Sequence, residues 1–194
     1  NAKLLLDFCA EVSEKVPVFI DEAYLELTDA GLSNSMAQLV SQGKDIIVTR
    51  TFSKIHGMAG MRLGYMLALP QRISQINKIT RGGMGISGPT IHAAMASLDD
   101  TDFLKSCKMK IAANRDFTIK NLISRGFEPL PTSTNFLIFE LAHKIDPNKF
   151  LSEIYSKKVT VKVFNFWEKN WCRVSIGTRE SMEIFFEAFD EILA

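Results

Sequence analysis

The residues best placed to do chemistry lie between Thr49 and Tyr65, where one lysine, Lys54, follows a serine. The apolar run 46–48 comes directly before this stretch and predicts a buried strand. At the end of such a strand, desolvation favours the neutral form of a lysine amine, which is nucleophilic and forms Schiff bases. The position of Lys54 therefore predicts covalent chemistry with a carbonyl group.

Groups suited to a phosphate surround this lysine. Thr51 and Ser53 carry hydroxyls on its N-terminal side, and Arg62 follows it in a glycine-containing loop. A guanidinium binds phosphate with parallel hydrogen bonds, and hydroxyls complete such a site. An amine for an aldehyde and polar groups for a phosphate together predict pyridoxal 5'-phosphate as the cofactor.

The whole stretch also resembles a known family pattern. Thr51 to Tyr65 is similar to the lysine segment T-F-S-K-x-x-G-x-A-G-x-R-x-G-Y of the fold-type I pyridoxal-phosphate enzymes, the aspartate-aminotransferase superfamily. Within that superfamily it most resembles the histidinol-phosphate aminotransferases. The resemblance implies that Lys54 forms the Schiff base and that Ser53 and Arg62 hold the cofactor phosphate. It also implies an α/β fold of the aspartate-aminotransferase type.

A second segment, 18–24, carries an aspartate. The run 18–20 predicts a short parallel strand, and ligands of open α/β sheets bind beyond the carboxyl ends of such strands. Asp21 alone would suit a helix cap or a turn. The segment resembles the family's D-E-A-Y motif, which implies that Asp21 pairs with the pyridine nitrogen and that the Tyr24 hydroxyl bonds the phenolic oxygen. Glu22 and Glu26 receive no role.

Two segments of the second half extend the resemblance. Residues 133–136 are similar to the motif S-x-A-N-F, and residues 172–178 to L-R-I-T-V-G-T. The resemblance implies that Asn135 lies beside the substrate α-carboxylate and that Arg173 binds it. A planar guanidinium can hold a carboxylate through two parallel hydrogen bonds and so orient the Cα–H bond.

One position departs from the family pattern. Val161-Lys162 stands where histidinol-phosphate aminotransferases have a V-R pair, whose arginine takes part in recognising the substrate phosphate. A lysine ammonium binds a phosphate as a point charge and cannot form the two parallel hydrogen bonds of a guanidinium. The predicted amino donor is therefore histidinol phosphate or a related amino acid, aromatic ones included, with an oxo acid such as 2-oxoglutarate as acceptor.

Apolar periodicity and capping signals predict the remaining elements. A short helix is expected around Met36 to Val40, ended by Gly43, and His92 is expected in the core or on the surface. The glycines of the stretch 81–89 predict a flexible linker, and the family resemblance implies that it lies near the active site and the partner subunit. Helices are predicted over 1–15, 71–80, 99–125, 146–157 and 178–193, and further strands over 65–69, 134–139, 159–164 and 171–176.

The long helix predicts the domain organisation. Residues 1–104 are expected to be the C-terminal part of a large parallel-sheet domain that binds pyridoxal phosphate. Residues 105–194 are expected to form a small α+β domain that includes the bridging helix. The family has a further N-terminal part and is dimeric, so the resemblance implies the C-terminal portion of a longer, homodimeric enzyme.

Composition excludes several classes of function. The 194 residues are 46% hydrophobic and 23% charged, with a net charge of +1. This balance gives no reason to expect nucleic acid or a membrane surface as partner, and no apolar run approaches the roughly 20 residues of a spanning helix. Cys9, Cys107 and Cys172 lack metal-ligand spacing, which predicts no metal and a reduced, cytoplasmic compartment.

Two other functions stay open at this point. A decarboxylase or lyase of the threonine-phosphate decarboxylase type uses the same scaffold, and fold does not fix reaction. The aminotransferase-like sensor domain of a GntR-type regulator is the non-enzymatic alternative, although those domains tend to read P-G-L-R where this chain has Ala59-Gly60-Met61-Arg62. An inactive fragment is the third possibility.

Overall fold

The chain separates into two compact units, Asn1–Leu104 and Lys105–Ala194. The computed structural model describes residues 2–80, 82–141 and 145–193. Each unit has its own three-stranded sheet and its own buried cluster of apolar side chains. The assignment of these units to a large and a small domain of a longer enzyme remains a prediction.

The sheet of the first unit has the order β1-β2-β3. Its strands are β1 (Val18–Asp21), β2 (Ile46–Thr51) and β3 (Gly64–Leu67). β1 runs parallel to β2, as predicted, and β3 runs antiparallel to it. Ile46 and Val48 of the central strand are fully buried, in a cluster with Cys9, Met36 and Leu39. The Lys54 loop is therefore anchored at both ends, by β2 before it and β3 after it.

Helices and short turns complete the first unit. The helices are α1 (Ala2–Val12), α2 (Ala37–Ser41), α3 (Pro70–Ile79) and α4 (Gly88–Asp99), and 3₁₀ turns occur at Leu25–Leu27, Gly31–Asn34 and Ala59–Met61. The Ser87 hydroxyl caps α4 by accepting the Thr90 N–H. The core of the unit contains Cys9, Met36, Leu39, Ile46 and Val48.

The second unit contains an antiparallel sheet of order β4-β6-β5. Its strands are β4 (Phe136–Glu140), β5 (Lys162–Phe166) and β6 (Lys169–Ser175). Trp167 and Glu168 form the two-residue turn between β5 and β6, with φ of 51° and 59°. The long helix α5 (Thr101–Ser124) begins before this unit and continues into it, followed by α6 (Pro147–Ser156) and α7 (Arg179–Leu193).

An aromatic cluster fills the core of the second unit. α7 contributes Met182, Phe185, Phe186 and Phe189 to this core, as its apolar periodicity predicts. α6 begins as expected, with the Asp146 carboxylate accepting the Lys149 N–H at 2.7 Å. The buried phenylalanines are Phe127, Phe139, Phe150, Phe185, Phe186 and Phe189.

Several predicted boundaries are wrong, for local reasons. β4 begins at Phe136 because the Thr134 hydroxyl bonds the Phe136 N–H and C=O and so replaces ladder bonds. β5 begins at Lys162 because Lys158 and Val159 still complete the end of α6. The cap of α5 is Asp100, whose carboxylate accepts the Phe103 N–H at 3.0 Å.

Several apolar side chains in segments predicted from their apolar pattern are exposed in the structure. Phe8 of α1 is 58% exposed, and Phe19 of β1 is 61% exposed, although its neighbours in the strand are partly covered. The parallel pairing of β1 is thus as predicted, whereas its burial is not. Ile79 at the end of α3 is likewise exposed, and His92 lies on the surface.

The glycine-rich stretch forms turns before α4. Asn1 and Arg81, which the predicted first helix and linker include, lie outside the described residues. None of the helices in the described part of the chain combines the length and the apolar character needed to cross a membrane.

Candidate active site

Backbone hydrogen bonds close the loop that presents Lys54. The Phe52 N–H donates to the Leu63 carbonyl at 3.1 Å, which joins the two ends of the loop. The Gly57 N–H donates to the Lys54 carbonyl at 2.9 Å, and Gly57 has a φ of +70°, a region that favours glycine. Lys54 therefore sits in a tight turn whose geometry the backbone fixes.

A cavity of about 430 Å³ lies at the carboxyl ends of β1 and β2. It brings together five residues that the sequence proposed for one site: Asp21, Thr51, Ser53, Lys54 and Arg62. The other lining residues are Ala23, Thr49, Arg50, Leu63 and Gly64. The cavity thus joins an amine, a carboxylate, a guanidinium and hydroxyls.

Arg62 lies beside the serine that precedes the lysine. Its Nη1 donates to the Ala59 carbonyl at 2.9 Å and reaches the Ser53 hydroxyl at 3.5 Å. The Thr51 hydroxyl accepts the Ser53 N–H at 3.1 Å and so orders the loop. Among the residues that the structure describes, no carboxylate pairs with Arg62, so its charge is available to an anion.

Asp21 is held at the end of β1. Its Oδ1 accepts the Ala23 N–H at 3.1 Å and faces the Thr49 hydroxyl at 3.4 Å. These contacts orient the carboxylate at the cavity wall. Its Oδ2 meets no donor within residues 2–80, 82–141 and 145–193, which leaves it able to accept a hydrogen bond from a ligand.

Tyr24 approaches Lys54 without lining the cavity. The Lys54 Nζ lies 4.9 Å from the centre of the Tyr24 ring, a distance at which an ammonium is attracted by the aromatic face. The predicted hydroxyl contact of Tyr24 with a cofactor stays a prediction.

Glu22 and Arg50 form a buried ion pair that the sequence did not reveal. The Arg50 Nε donates to Glu22 Oε2 at 3.0 Å, and the two side chains are only 9% and 4% exposed. The sequence feature that could have indicated this pair is the presence of opposite charges at the ends of two predicted strands. Glu22, left without a role in the sequence, thus anchors the end of β1.

His56 is a second buried group without a sequence signal beyond its place in the loop. Its Nδ1 lies 2.8 Å from the Ser97 Oγ, and its Nε2 lies 3.5 Å from Glu26 Oε1. Its ring packs against Phe52 at a centroid distance of 4.8 Å. His56 therefore connects the lysine loop with α4 and with the 3₁₀ turn that follows Tyr24.

Arg173 and Asn135 belong to the second unit. Arg173 stands opposite Lys162 in the β5–β6 ladder and lies 4.0 Å from the centre of the Phe136 ring. The Asn135 carbonyl accepts the Ile176 N–H at 2.8 Å. A cavity of about 300 Å³ in this unit is lined by Thr160, Val161, Lys162, Arg173 and Ser175. The two cations thus share one concave surface with hydroxyl groups.

Comparison with known proteins decides the family. Residues 2–189 match the family model for aminotransferase class I and II. The chain belongs to the class I and II aminotransferases. The predicted superfamily is therefore confirmed.

Individual aminotransferases match along almost the whole chain. Histidinol-phosphate aminotransferase 2 of Methylococcus capsulatus is 32% identical over 97% of this chain and 50% of its own length. The histidinol-phosphate aminotransferase of Moorella thermoacetica is 32% identical over 96% of this chain and 48% of its own length. The chain spans about half the length of the curated relatives it matches.

A solved aminotransferase shares the fold. The histidinol-phosphate aminotransferase of Sinorhizobium meliloti, crystallised in complex with pyridoxal-5'-phosphate, superposes with a TM-score of 0.85 at 26% identity. The match covers 99% of this chain and 52% of that protein. The predicted fold-type I aminotransferase fold is confirmed.

Within the described residues, no group of three or more His, Cys, Asp or Glu side chains is arranged to hold a metal ion.

Proposed function

We propose that the protein containing this chain is a pyridoxal-phosphate-dependent aminotransferase. The observation that carries the proposal is the single cavity that joins Lys54, Asp21 and the Arg62–Ser53 pair. The relatives named histidinol-phosphate aminotransferases and the neighbour solved with pyridoxal-5'-phosphate support it.

The side chains in this cavity fit the cofactor group by group. An aldehyde needs an amine, and Lys54 supplies one. A phosphate needs a cation and hydrogen-bond donors, which Arg62 and Ser53 supply without competition from a described carboxylate. A protonated pyridine nitrogen needs an anion, and Asp21 retains a carboxylate oxygen that meets no described donor. The donor set therefore suits pyridoxal phosphate.

The chemistry follows from these residues. When bound, the cofactor supplies an aldehyde that captures the amino group and a ring that accepts electrons from Cα. The Lys54 amine is the group that moves the substrate Cα proton, acting as general base and then as general acid. The Asp21 carboxylate keeps its partner nitrogen protonated, and Arg62 with Ser53 anchors the phosphate. Tyr24 bonds the phenolic oxygen and lies against the lysine.

The amino donor is proposed to carry an anionic group that meets Arg173 and Lys162. Two cations directly opposite each other on neighbouring strands repel, and an anion between them removes that repulsion. Arg173 with Asn135 is assigned to the substrate carboxylate, and Lys162 to a phosphate as a point charge. Histidinol phosphate or a related amino acid, including aromatic ones, is the proposed donor, with an oxo acid such as 2-oxoglutarate as acceptor.

The assembly is proposed to be a homodimer in the cytoplasm. The exposed residues Ile91, Met95 and Leu98 repeat at helical spacing along α4 and suit contact with a second copy. Three free cysteines in the described residues fit a reduced compartment. Sedimentation velocity of the full-length protein tests the dimer.

Borohydride trapping tests the cofactor chemistry. The full-length protein is mixed with pyridoxal phosphate, reduced, digested and analysed by mass spectrometry. We expect one modified lysine, Lys54, and loss of the modification in Lys54→Ala but not in Lys78→Ala, a control on an exposed part of α3. Absence of any adduct, or an adduct only on other lysines, would overturn the proposed function.

Product analysis tests the reaction and the donor. Wild type is given a panel of amino acids with 2-oxoglutarate, and oxo acid and carbon dioxide are both measured. Oxo acid is expected, whereas carbon dioxide would indicate the decarboxylase alternative. We expect Lys162→Ala to raise KM for a phosphorylated donor by about tenfold and to leave KM for an unphosphorylated donor almost unchanged.

A further inference from the structure

We propose that the buried Glu22–Arg50 pair is a positioning device that sets the Asp21 carboxylate for the cofactor. The inference rests on the proposed function, because it concerns how the same site is held. Glu22 and Arg50 act through their neighbours in sequence and are positioning residues.

The two faces of the strand ends carry different groups. Successive side chains of a strand point to opposite faces. Asp21 lines the cavity, whereas the adjacent Glu22 side chain is buried in contact with Arg50. On β2, the Thr49 hydroxyl faces Asp21, whereas the next side chain, Arg50, is directed to Glu22. The ion pair thus lies next to Asp21 at the same strand ends, with Glu22 buried and Arg50 also among the residues that line the cavity.

The network joins four segments of the first unit. Glu22 Oε1 accepts the Met36 N–H at 2.7 Å, and both carboxylate oxygens accept the Ser35 hydroxyl, at 3.0 and 2.8 Å. Arg50 Nη2 donates to Ser35 Oγ at 2.6 Å, and Nη1 donates to the Tyr65 hydroxyl at 3.3 Å. β1, β2, β3 and the turn before α2 are therefore held together at the edge of the cavity, which Arg50 also lines.

Backbone bonds pass this constraint to Asp21. The Glu22 N–H donates to the Thr49 carbonyl at 2.9 Å, so the peptide between Asp21 and Glu22 is fixed to β2. Thr49 is also the residue whose hydroxyl faces Asp21. Directional hydrogen bonds to the buried Glu22 carboxylate restrict the motion of this peptide. Because Asp21 is the residue before Glu22, the position of its carboxylate is restricted as well.

A contribution to stability explains the buried Glu22–Arg50 pair less well than a positioning role does. Desolvation of two charges offsets much of their attraction, and apolar residues of similar volume commonly serve a core as well. Apolar contacts, however, lack the direction needed to fix a carboxylate within a fraction of an ångström. Misplacement by about 1 Å at a site can change rates by about a hundredfold.

A double-mutant cycle on cofactor binding tests the inference. The variants are Glu22→Gln, Asp21→Asn and both together, in the full-length protein, with the equilibrium Kd for pyridoxal phosphate as readout. We expect Glu22→Gln to raise Kd by about tenfold in wild type and by less than about twofold in Asp21→Asn, because its effect runs through Asp21. Arg50→Lys, which keeps the charge but loses the fork, should show the same pattern if Glu22→Gln fails to fold.

The controls separate positioning from general stability. Asp45→Asn breaks another ion pair of the first unit, with Arg72, and should lower the melting temperature without raising Kd. An equal rise in Kd in both backgrounds would overturn the inference and indicate a structural role. Unchanged binding by Glu22→Gln would also overturn it while leaving the proposed function intact. A wild type that binds no pyridoxal phosphate would overturn both.

Discussion

Gly64 allows the closest backbone approach next to the lysine loop. A Cβ at this position would lie 2.7 Å from the Arg50 carbonyl oxygen, closer than real Cβ contacts come, and the obstacle is backbone. We expect Gly64→Ala to lower the free energy of unfolding by about 1–3 kcal/mol, measured by chemical denaturation.

Gly60 provides the matched control in the same loop. Apart from the adjoining residues, no described atom lies within 4 Å of a Cβ built there, and its φ is not positive. Gly60→Ala should therefore stay within about 0.5 kcal/mol of wild type. Equal effects of the two substitutions would contradict the close approach of β2 and β3 at Gly64.

Lys54, Asp21, Ser53 and Arg62 illustrate how far residue-level reasoning reaches. Residue types and spacing predict a site at Lys54, Ser53 and Arg62, the motif resemblance adds Asp21, and the structure brings all four to one cavity. Their individual roles remain predictions. The sequence does not predict the Glu22–Arg50 pair, because a charged residue at a strand end is usually solvated, and only the fold shows that both side chains are buried together.

The turn between β5 and β6 is strained at both positions. Trp167 and Glu168 both have positive φ. Two-residue hairpin turns with this conformation favour Asn-Gly or Gly-Gly at these positions. Trp167→Asn/Glu168→Gly relieves that strain but loses the contact between the tilted rings of Trp167 and Phe166, whose centroids are 4.4 Å apart. We expect a net gain of about 1 kcal/mol in the free energy of unfolding, measured by thermal denaturation.

Trp167→Ala is the matching test of what the contact between these two rings contributes. It removes the ring and retains a residue with a Cβ at positive φ, so we expect it to lower the free energy of unfolding by about 0.5–1.5 kcal/mol. A stabilising effect of Trp167→Ala would show that the exposed ring, rather than the backbone, is the unfavourable feature.

An ion pair ties α3 to the residue before β2. Arg72 Nε donates to Asp45 Oδ1 at 3.1 Å, and this hydrogen bond lowers the pKa of the Asp45 carboxyl against the opposing effect of burial. A lowered pKa in the folded state stabilises the protein above the unfolded pKa of about 3.9, and that stabilisation is lost as pH falls through the folded value.

Asp45→Asn should therefore destabilise the protein in a pH-dependent way. We expect a lower melting temperature than wild type at pH 7 and a difference that shrinks below about pH 4, as the wild-type carboxylate becomes protonated. Asp7→Asn, at an exposed position of α1 with no ion pair among the described residues, should show no such pH dependence. A difference that is constant from pH 7 to pH 3 would contradict the assigned cause.

Two separate cores distinguish the halves of the chain. The second unit buries six phenylalanines, Phe189 among them, whereas the first unit has a smaller core and exposes large apolar residues on α1 and β1. We expect a fragment of residues 99–194, which keeps the Asp100 cap, to unfold cooperatively on heating with a near-ultraviolet circular dichroism signal.

Phe189→Ala in that fragment checks the origin of its stability. Phe189 is fully buried and contacts Phe127, Phe139, Phe150 and Phe185, so its truncation should lower the free energy of unfolding by about 3–5 kcal/mol. A broad, non-cooperative transition of the unmodified fragment would show that the second unit needs the rest of the protein.

Local patterns were enough for much of this chain. The 3.6-residue repeat of α7, the Asp146-Pro147 start of α6 and the motif around Lys54 each depend on residues close in sequence, so each could be read without a structure. The ends of the strands are harder to predict from sequence. The Thr134 hydroxyl bonds backbone groups at the start of β4, and Lys158, with positive φ, belongs to the end of α6 and not to β5.

Long-range packing decided the remainder. Burial of Glu22 against Arg50, of His56 between Glu26 and Ser97, and the pairing of Lys162 opposite Arg173 join residues distant in sequence. The residue types and their spacing along the chain are enough to indicate an amine and a phosphate site, and the motif resemblance adds the acid. Strand register and packing decide which other side chains are buried together, as Glu22 and Arg50 are, because one step along a strand moves a side chain to the opposite face.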